Sequence, residues 1–143
     1  MDEVYRVNNS KITINQGVTG TVSFKEGDCM PSIGINSSCK NCPVSRTVRI
    51  YEYTLESQTV KSQPGGFYES FSTKLIKEVA ADDNGFFEAS LPPGKYTLVV
   101  IEDGRLYSSQ GEILAGIVGI SPLVITRNSV TVSNFIIGYK AYY

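Results

Sequence analysis

The chain has 143 residues, 41% apolar and 19% charged, with 13 basic and 14 acidic side chains and a net charge of -1. That balance belongs to a folded domain; it lacks the basic stripe of a nucleic-acid binder and any apolar run of the ~20 residues that a membrane-spanning helix takes. Histidine and tryptophan are absent, which removes the usual general base, the Ser–His and Cys–His nucleophile pairs, most zinc enzymes, and the best stacking platform for sugars or bases.

In chain order, residues 1–16 are polar, carry little pattern, and are expected to be a lead-in segment. Val18 to Phe24 alternates, with Val18, Val22 and Phe24 on one face and Thr19, Thr21 and Ser23 on the other. That period of two predicts a half-buried strand. Residues 25–43 hold Gly27, Pro31, Gly34, Pro43 and all three cysteines, and predict a long irregular loop. Arg46 to Leu55 is apolar on both faces and predicts a central strand. Residues 56–72 are looser, with Pro64-Gly65-Gly66 as a breaker before Phe67, Tyr68 and Phe71.

Lys74 to Ala80, the corner Asp82-Asp83-Asn84-Gly85 and Phe86 to Leu91 predict a compact hairpin with an Asn-Gly turn of type I′. Pro92-Pro93-Gly94-Lys95 turns the chain into the strand Tyr96–Glu102, in which Tyr96, Leu98 and Val100 oppose Thr97, Val99 and Ile101. Asp103-Gly104 is the next turn. A short strand is expected around Leu106-Tyr107. Pro122 assigns the apolar stretch Ile117–Ile125 to an edge or a bend. Asn128-Ser129 precedes the closing strand Val130–Tyr139, which needs a bulge near Asn134 to restore its register. No helical period of 3.6 residues stands out. The expectation is one domain over 1–143, an all-β, two-sheet antiparallel β-sandwich of about seven strands.

One pair of segments reaches beyond generic strand chemistry. Gly17-Val18-Thr19-Gly20-Thr21-Val22 opens the first strand, and Asp83-Asn84-Gly85-Phe86-Phe87 leads on to Leu91-Pro92-Pro93-Gly94-Lys95-Tyr96-Thr97-Leu98. The chain thereby resembles the carboxypeptidase regulatory-like domains, which share the transthyretin-like (prealbumin-like) sandwich. The resemblance covers about half of the chain. It implies a bacterial secreted or surface setting and an accessory module, without naming a ligand. The same fold hosts the hydroxyisourate hydrolases, whose sites rest on histidines and a C-terminal Tyr-Arg-Gly-Ser; this chain has no histidine and ends Tyr139-Lys140-Ala141-Tyr142-Tyr143.

Cys29, Cys39 and Cys42 are spaced C-x9-C-x2-C. Three thiolates without histidine make a poor zinc site, and Cys39-Lys40-Asn41-Cys42 lacks the strand–helix setting of a redox C-x-x-C. A disulfide from Cys29 to Cys39 or to Cys42, stapling the loop, is the expected arrangement. Asp82, Asp83 and Asn84 do not hold the full spacing of a calcium loop, and turn chemistry accounts for them. No catalytic residue, metal site or cofactor is assigned. Phe67, Tyr68, Tyr139, Tyr142 and Tyr143 are the candidates for a binding patch.

The expected function is that of a non-catalytic structural or interaction module of an exported bacterial protein, with a small carbohydrate- or peptide-binding protein as the alternative. The expected partner is a protein or a glycan, with no nucleic acid and no membrane span. The expected oligomeric state is monomer or weak oligomer. The expected location is the periplasm or cell surface, with Met1-Asp2-Glu3 read as a new start after removal of a signal peptide.

Overall fold

Alternating side chains become paired strands along nearly the whole chain in a computed structural model, which describes residues 1–30 and 38–143. The elements are a helix α1 (Asp2–Asn9) and the strands β1 (Gly17–Asp28), β2 (Lys40–Pro43), β3 (Thr47–Glu52), β4 (Thr59–Lys61), β5 (Phe67–Phe71), β6 (Leu75–Ala80), β7 (Phe86–Ser90), β8 (Gly94–Glu102), β9 (Arg105–Tyr107), β10 (Gly111–Leu114), β11 (Ile117–Ile120), β12 (Pro122–Ile125), β13 (Val130–Val132) and β14 (Phe135–Tyr142). A single 3₁₀ turn, Glu56–Gln58, precedes β4.

The architecture is the expected all-β sandwich, but it is cut into more and shorter strands than seven. Turn residues divide the apolar stretches. Ser121, at φ +41°, separates β11 from β12, and Ala115 and Gly116, at φ +52° and +80°, separate β10 from β11. One sheet is built on β1. Its first half lies between β7, antiparallel, and β13, parallel; its second half lies between β2, antiparallel, and β14, parallel. The other sheet runs β4-β5-β9-β8-β3-β6, with β12 against the first half of β8. Among the described residues, strands β10 and β11 pair only with each other, apart from a bridge between Leu55 and Gly119.

Two expectations are corrected here. The sandwich is not purely antiparallel, because the last strands run alongside the first in the same direction. Nor do β6 and β7 form a hairpin. β6 pairs with β3 in one sheet and β7 with β1 in the other, so the Asp82–Gly85 corner carries the chain between layers. Only Gly85 has positive φ there, +76°, so the turn is not type I′. Asp82 builds the corner itself. Its Oδ1 accepts the Asn84 and Phe86 amides at 2.8 and 3.0 Å, and Lys11 pairs with Oδ2 at 3.1 Å. Burial alone raises the Asp82 pKa, but Lys11 and the two amides outweigh it and hold the carboxyl below its ordinary range. These oxygens serve the turn, as the sequence reading expected.

Between the layers lie Val18, Val22, Phe87, Ala89, Phe135 and Ile137 from the β1 sheet, facing Val48, Ile50, Phe67, Leu98, Val100 and Tyr107 from the other. Burial of each of the larger aliphatic and phenyl side chains among them contributes roughly 1.5–3 kcal/mol. Tyr96 sits in this core at 9% exposure and donates its hydroxyl to Pro92 O at 2.7 Å, which holds the Pro-Pro-Gly corner to β8. A second cluster, Tyr51, Tyr68, Val99, Leu106 and Ile120, covers the outer face of the β8 sheet. β8 is therefore apolar on both faces. Thr97, fully buried within it, accepts the Thr54 amide at 2.8 Å and donates to Ile120 O at 2.7 Å.

The lead-in segment is not structureless. α1 forms and packs on β1 over Thr21, and Thr19 and Ser23, expected with it on a solvent face, are buried as well. The helix is held by the buried Asn8, whose Nδ2 donates to Thr21 Oγ1 at 2.9 Å and Asn84 O at 3.0 Å. The expected loop over 25–43 is instead a hairpin of β1 and β2 closed by Cys29–Cys39; residues 31–37 of that expectation lie outside the described residues. At Asn134 the ladder changes from β13 to β14, and the Asn134 Oδ1 takes the Thr21 amide at 3.1 Å where a backbone carbonyl would otherwise be.

Close approach of strands makes Gly20 indispensable. A Cβ there would lie 1.9 Å from Ser133 O, a backbone atom that cannot step aside cheaply. Gly20→Ala is expected to cost about 3 kcal/mol in urea unfolding. Gly104→Ala, at φ +71° but in open space, is expected to cost only about 1 kcal/mol. Equal losses would show that strand spacing at Gly20 is not the constraint.

Candidate functional site

The register of β3 and β8 builds one end of the sandwich. Val48 lies opposite Val100, and continuing the antiparallel ladder by two residues sets Arg46 opposite Glu102. Arg46 Nε donates to Glu102 Oε1 at 2.9 Å, and Arg46 Nη1 also reaches Ser45 O at 3.0 Å. The Glu102 side chain is only 7% exposed. A carboxylate so withdrawn from water requires partners, and the second comes from the other sheet: Tyr139 on β14 donates its hydroxyl to Glu102 Oε2 at 3.2 Å. Glu102 therefore ties the two layers together at this end.

The Tyr139 ring packs among Phe24 of β1, Phe67 of β5 and Tyr107 of β9, with centroid separations of 5.7, 5.0 and 5.6 Å. Phe67 and Tyr107 are themselves 4.9 Å apart. Such edge and tilted contacts are the favourable arrangement for aromatic quadrupoles. Cations complete the group. The Arg105 guanidinium lies 4.2 Å from the Phe67 centroid, held by Asp103, Ser62 and the Gln63 carbonyl. Lys140 Nζ lies 5.9 Å from both the Phe24 and Tyr139 rings. Burial first, and then the neighbouring Glu102 charge, raise the Tyr139 pKa above its ordinary value of 10.0.

Beside these side chains opens a cleft of about 520 Å³ lined by Phe24, Arg46, Glu102, Asp103, Tyr139 and Lys140. That volume falls within the ~300–1,000 Å³ of small-ligand sites. Aromatic edges and faces, two cations and two carboxylates give such a cleft hydrogen-bond donors and acceptors beside an apolar wall. Among the described residues no group of three His, Cys, Asp or Glu side chains gathers to hold a metal.

The residues expected from sequence divide between several places. Tyr139 lines the cleft, whereas Phe67, at 2% exposure, lies in the core behind it in ring contact with Tyr139 and does not line it. Tyr68, the next residue of β5, points to the opposite face and joins Phe71 in the outer cluster. Tyr142 and Tyr143 are 60% and 68% exposed at the end of β14. They lie next to the cysteine hairpin: Cys29 donates its amide to Tyr142 O at 2.7 Å, and Lys25 Nζ sits 5.3 Å from the Tyr143 ring. The disulfide joins Cys29 to Cys39, one of the two pairings left open by the sequence. Cys42 keeps an exposed free thiol, directly across β1–β2 from Phe24. Sequence reasoning missed Phe24, Arg46, Glu102, Arg105 and Lys140. The available signal was a charged residue at each matching strand end, Arg46 before β3 and Glu102 closing β8.

Compared with protein-family models, with curated proteins and with solved structures, the chain matches none.

Glu102→Ala strips both Arg46 and Tyr139 of their buried partner and is expected to lower stability by about 2–3 kcal/mol in chemical denaturation, less than a fully enclosed pair because Arg46 is partly exposed. The raised Tyr139 pKa has a definite sign. Its stabilisation is complete below the unfolded value near 10 and is lost as the pH rises through the folded value. Tyr139→Phe should therefore cost about 1 kcal/mol at neutral pH and flatten the loss of melting temperature above pH 10. An unchanged alkaline limb would remove Tyr139 from that transition.

Proposed function

We propose that this chain is a non-catalytic interaction module of an exported bacterial protein, a rigid sandwich that offers the Tyr139 cleft and the adjoining cysteine hairpin to a protein or glycan partner. The observation that carries this reading is the convergence of Phe24, Tyr139, Arg46, Lys140 and Glu102 on one open cleft. Aromatic faces with cations and a carboxylate are the side chains that recognise sugar hydroxyls or extended peptide. Phe24, Glu102, Tyr139 and Lys140 sit on strands and Arg46 immediately precedes β3, which keeps their spacing defined.

The export reading draws on two observations of different kinds. The Cys29–Cys39 disulfide belongs to an oxidising compartment. The turn motifs at Asp83–Phe87 and Leu91–Leu98 resemble those of bacterial carboxypeptidase regulatory-like domains. The absence of histidine from the sequence supports a binding rather than a catalytic role. The cleft volume favours the second reading, a small carbohydrate- or peptide-binding protein, since one sugar ring or a short peptide segment fits within it.

Arrays of immobilised glycans and of short peptides test both readings with the whole chain. The expected result is a binder whose affinity falls at least tenfold on Lys140→Glu and also on Tyr142→Ala, two changes at solvent-accessible positions that leave the fold intact. A binder unaffected by either change would place recognition elsewhere on the molecule. No binder on either array would leave the structural-module reading in place and remove the small-ligand one.

A further inference from the structure

We propose that the tip of the β10–β11 hairpin is a membrane-surface anchor that seats in the outer hydrocarbon layer of an uncharged lipid leaflet. The inference is independent of the cleft. β3 separates the two regions: Arg46 precedes it and Tyr53, at the hairpin base, follows it, about 20 Å away along the strand.

Six consecutive residues of the hairpin, Ile113-Leu114-Ala115-Gly116-Ile117-Val118, carry no polar side chain. Ile113 is 71% exposed, Leu114 56% and Ile117 54%. The pairing sets Ile113 beside Val118 on one face and Leu114 beside Ile117 on the other, so both faces of the ribbon are apolar. Scattered exposed aliphatics need no explanation, but a contiguous apolar tip on a protruding element does.

The turn itself departs from its usual chemistry. Positive φ at Ala115 and Gly116 defines a two-residue type I′ turn, for which Asn-Gly is favoured. Alanine tolerates that conformation less well than asparagine. Its use here removes the one polar side chain that such a tip would ordinarily carry.

Charged pairs flank the hairpin, below the tip at Glu112 on the β10 side and alongside Gly116–Val118 on the β11 side. Glu112 receives the Tyr53 hydroxyl at 2.7 Å and pairs with Lys95, whose Nζ also lies 4.2 Å from the Tyr53 ring. Lys61 pairs with Glu56 beside Gly116–Val118. These opposed charges leave the collar neutral, matching a zwitterionic headgroup layer rather than an anionic one. Glu112 lies about 10 Å below the turn along the strand, close to the ~5–10 Å depth at which interfacial elements seat. The base is rigid. Gly119 lies so close to Tyr53 that a Cβ there would be 1.7 Å from its hydroxyl oxygen, and Ile120 is buried with its amide on Thr54 O.

A second copy of the chain fits this feature less well than lipid does. A ribbon tip two strands wide falls well short of the roughly 800 Å² per partner of a standard protein interface, and a partner surface would cover one of its apolar faces. A lipid layer closes around both.

Flotation with phosphatidylcholine vesicles tests the proposal on the whole chain. The expected result is association that persists at high salt and falls at least tenfold in Ile113→Ser/Leu114→Ser/Ile117→Ser, a variant whose circular dichroism and melting temperature match the original because all three sites are exposed. Since the chain has no tryptophan, Leu114→Trp supplies a single reporter. Its emission should shift to the blue on adding vesicles and be quenched by lipid brominated near the headgroup. Failure of the original chain to float, equal flotation of the triple variant, or binding confined to phosphatidylglycerol vesicles and abolished by salt would each overturn the anchor. A dimer in sedimentation equilibrium that the triple variant dissolves, without flotation, would assign the tip to a second copy.

Discussion

Parallel pairing of β1 with the closing strands is the constraint on which the remaining structure depends. It joins segments more than 100 residues apart, sets Val22 beside Phe135 and Phe24 beside Ile137, and leaves the Gly20 backbone against Ser133. Parallel strands cannot be joined by a tight turn, so everything between β1 and β14 is the connection. That connection crosses between layers from β2 to β3, at Asp82–Gly85, at Pro92–Gly94, and from β12 to β13. The Tyr139 hydroxyl reaches Glu102 because β14 runs in this direction beside β1; reversal would move it away from the end where β8 stops.

The parts of this fold that were legible in sequence are those governed by local rules. Tyr96–Glu102 reads as a strand with two distinct faces, and both faces are found where alternation puts them. The Pro92-Pro93-Gly94 corner reads as a turn, and Tyr96 packs under it. Asn134 reads as a bulge, but the register against β1 runs unbroken from Val132 to Phe135 and shifts only between Phe24 and Glu26; the Asn134 side chain stands in for a carbonyl at the gap between β13 and β14. Nonlocal choices were not legible. Nothing in Lys74–Leu91 says that its two strands enter different sheets, because strand propensity carries no information about partners. α1 is amphipathic but only eight residues long, too short for a 3.6-residue period to stand out, and it is docked by Asn8. Glu102 and Arg46 are 56 positions apart, and only the β3–β8 register makes them neighbours. Of the aromatic candidates, Tyr139 lies at the cleft, whereas Tyr68, next to Phe67 on β5, faces the other way, since adjacent residues of a strand face opposite sides.

Charge is distributed so that the two ends of the sandwich differ in kind. At the cleft, Glu102 is buried and bridges the layers, so its ion pair with Arg46 is part of the architecture. At the hairpin base, Glu112 and Lys95 are more exposed, and such pairs contribute little to stability. Their significance is that they cancel. The same residue types thus act as a cross-link at one end and as a neutral collar at the other, with burial deciding which.

A strand that is oily on both sides has a hazard that half-exposed strands escape. Slipping β8 by one residue would exchange Tyr96, Leu98 and Val100 for Thr97, Val99 and Ile101, and the exchange would leave nearly as much hydrocarbon covered as before. Water therefore votes only weakly on the alignment of this strand. The vote that counts belongs to Thr97: displaced by one position, its hydroxyl would lose both Thr54 and Ile120 and strand their backbone groups in a dry interior. One small hydroxyl thereby acts as the index mark for the centre of the sheet, and through it for which residue, Ile101 or Glu102, arrives opposite Arg46.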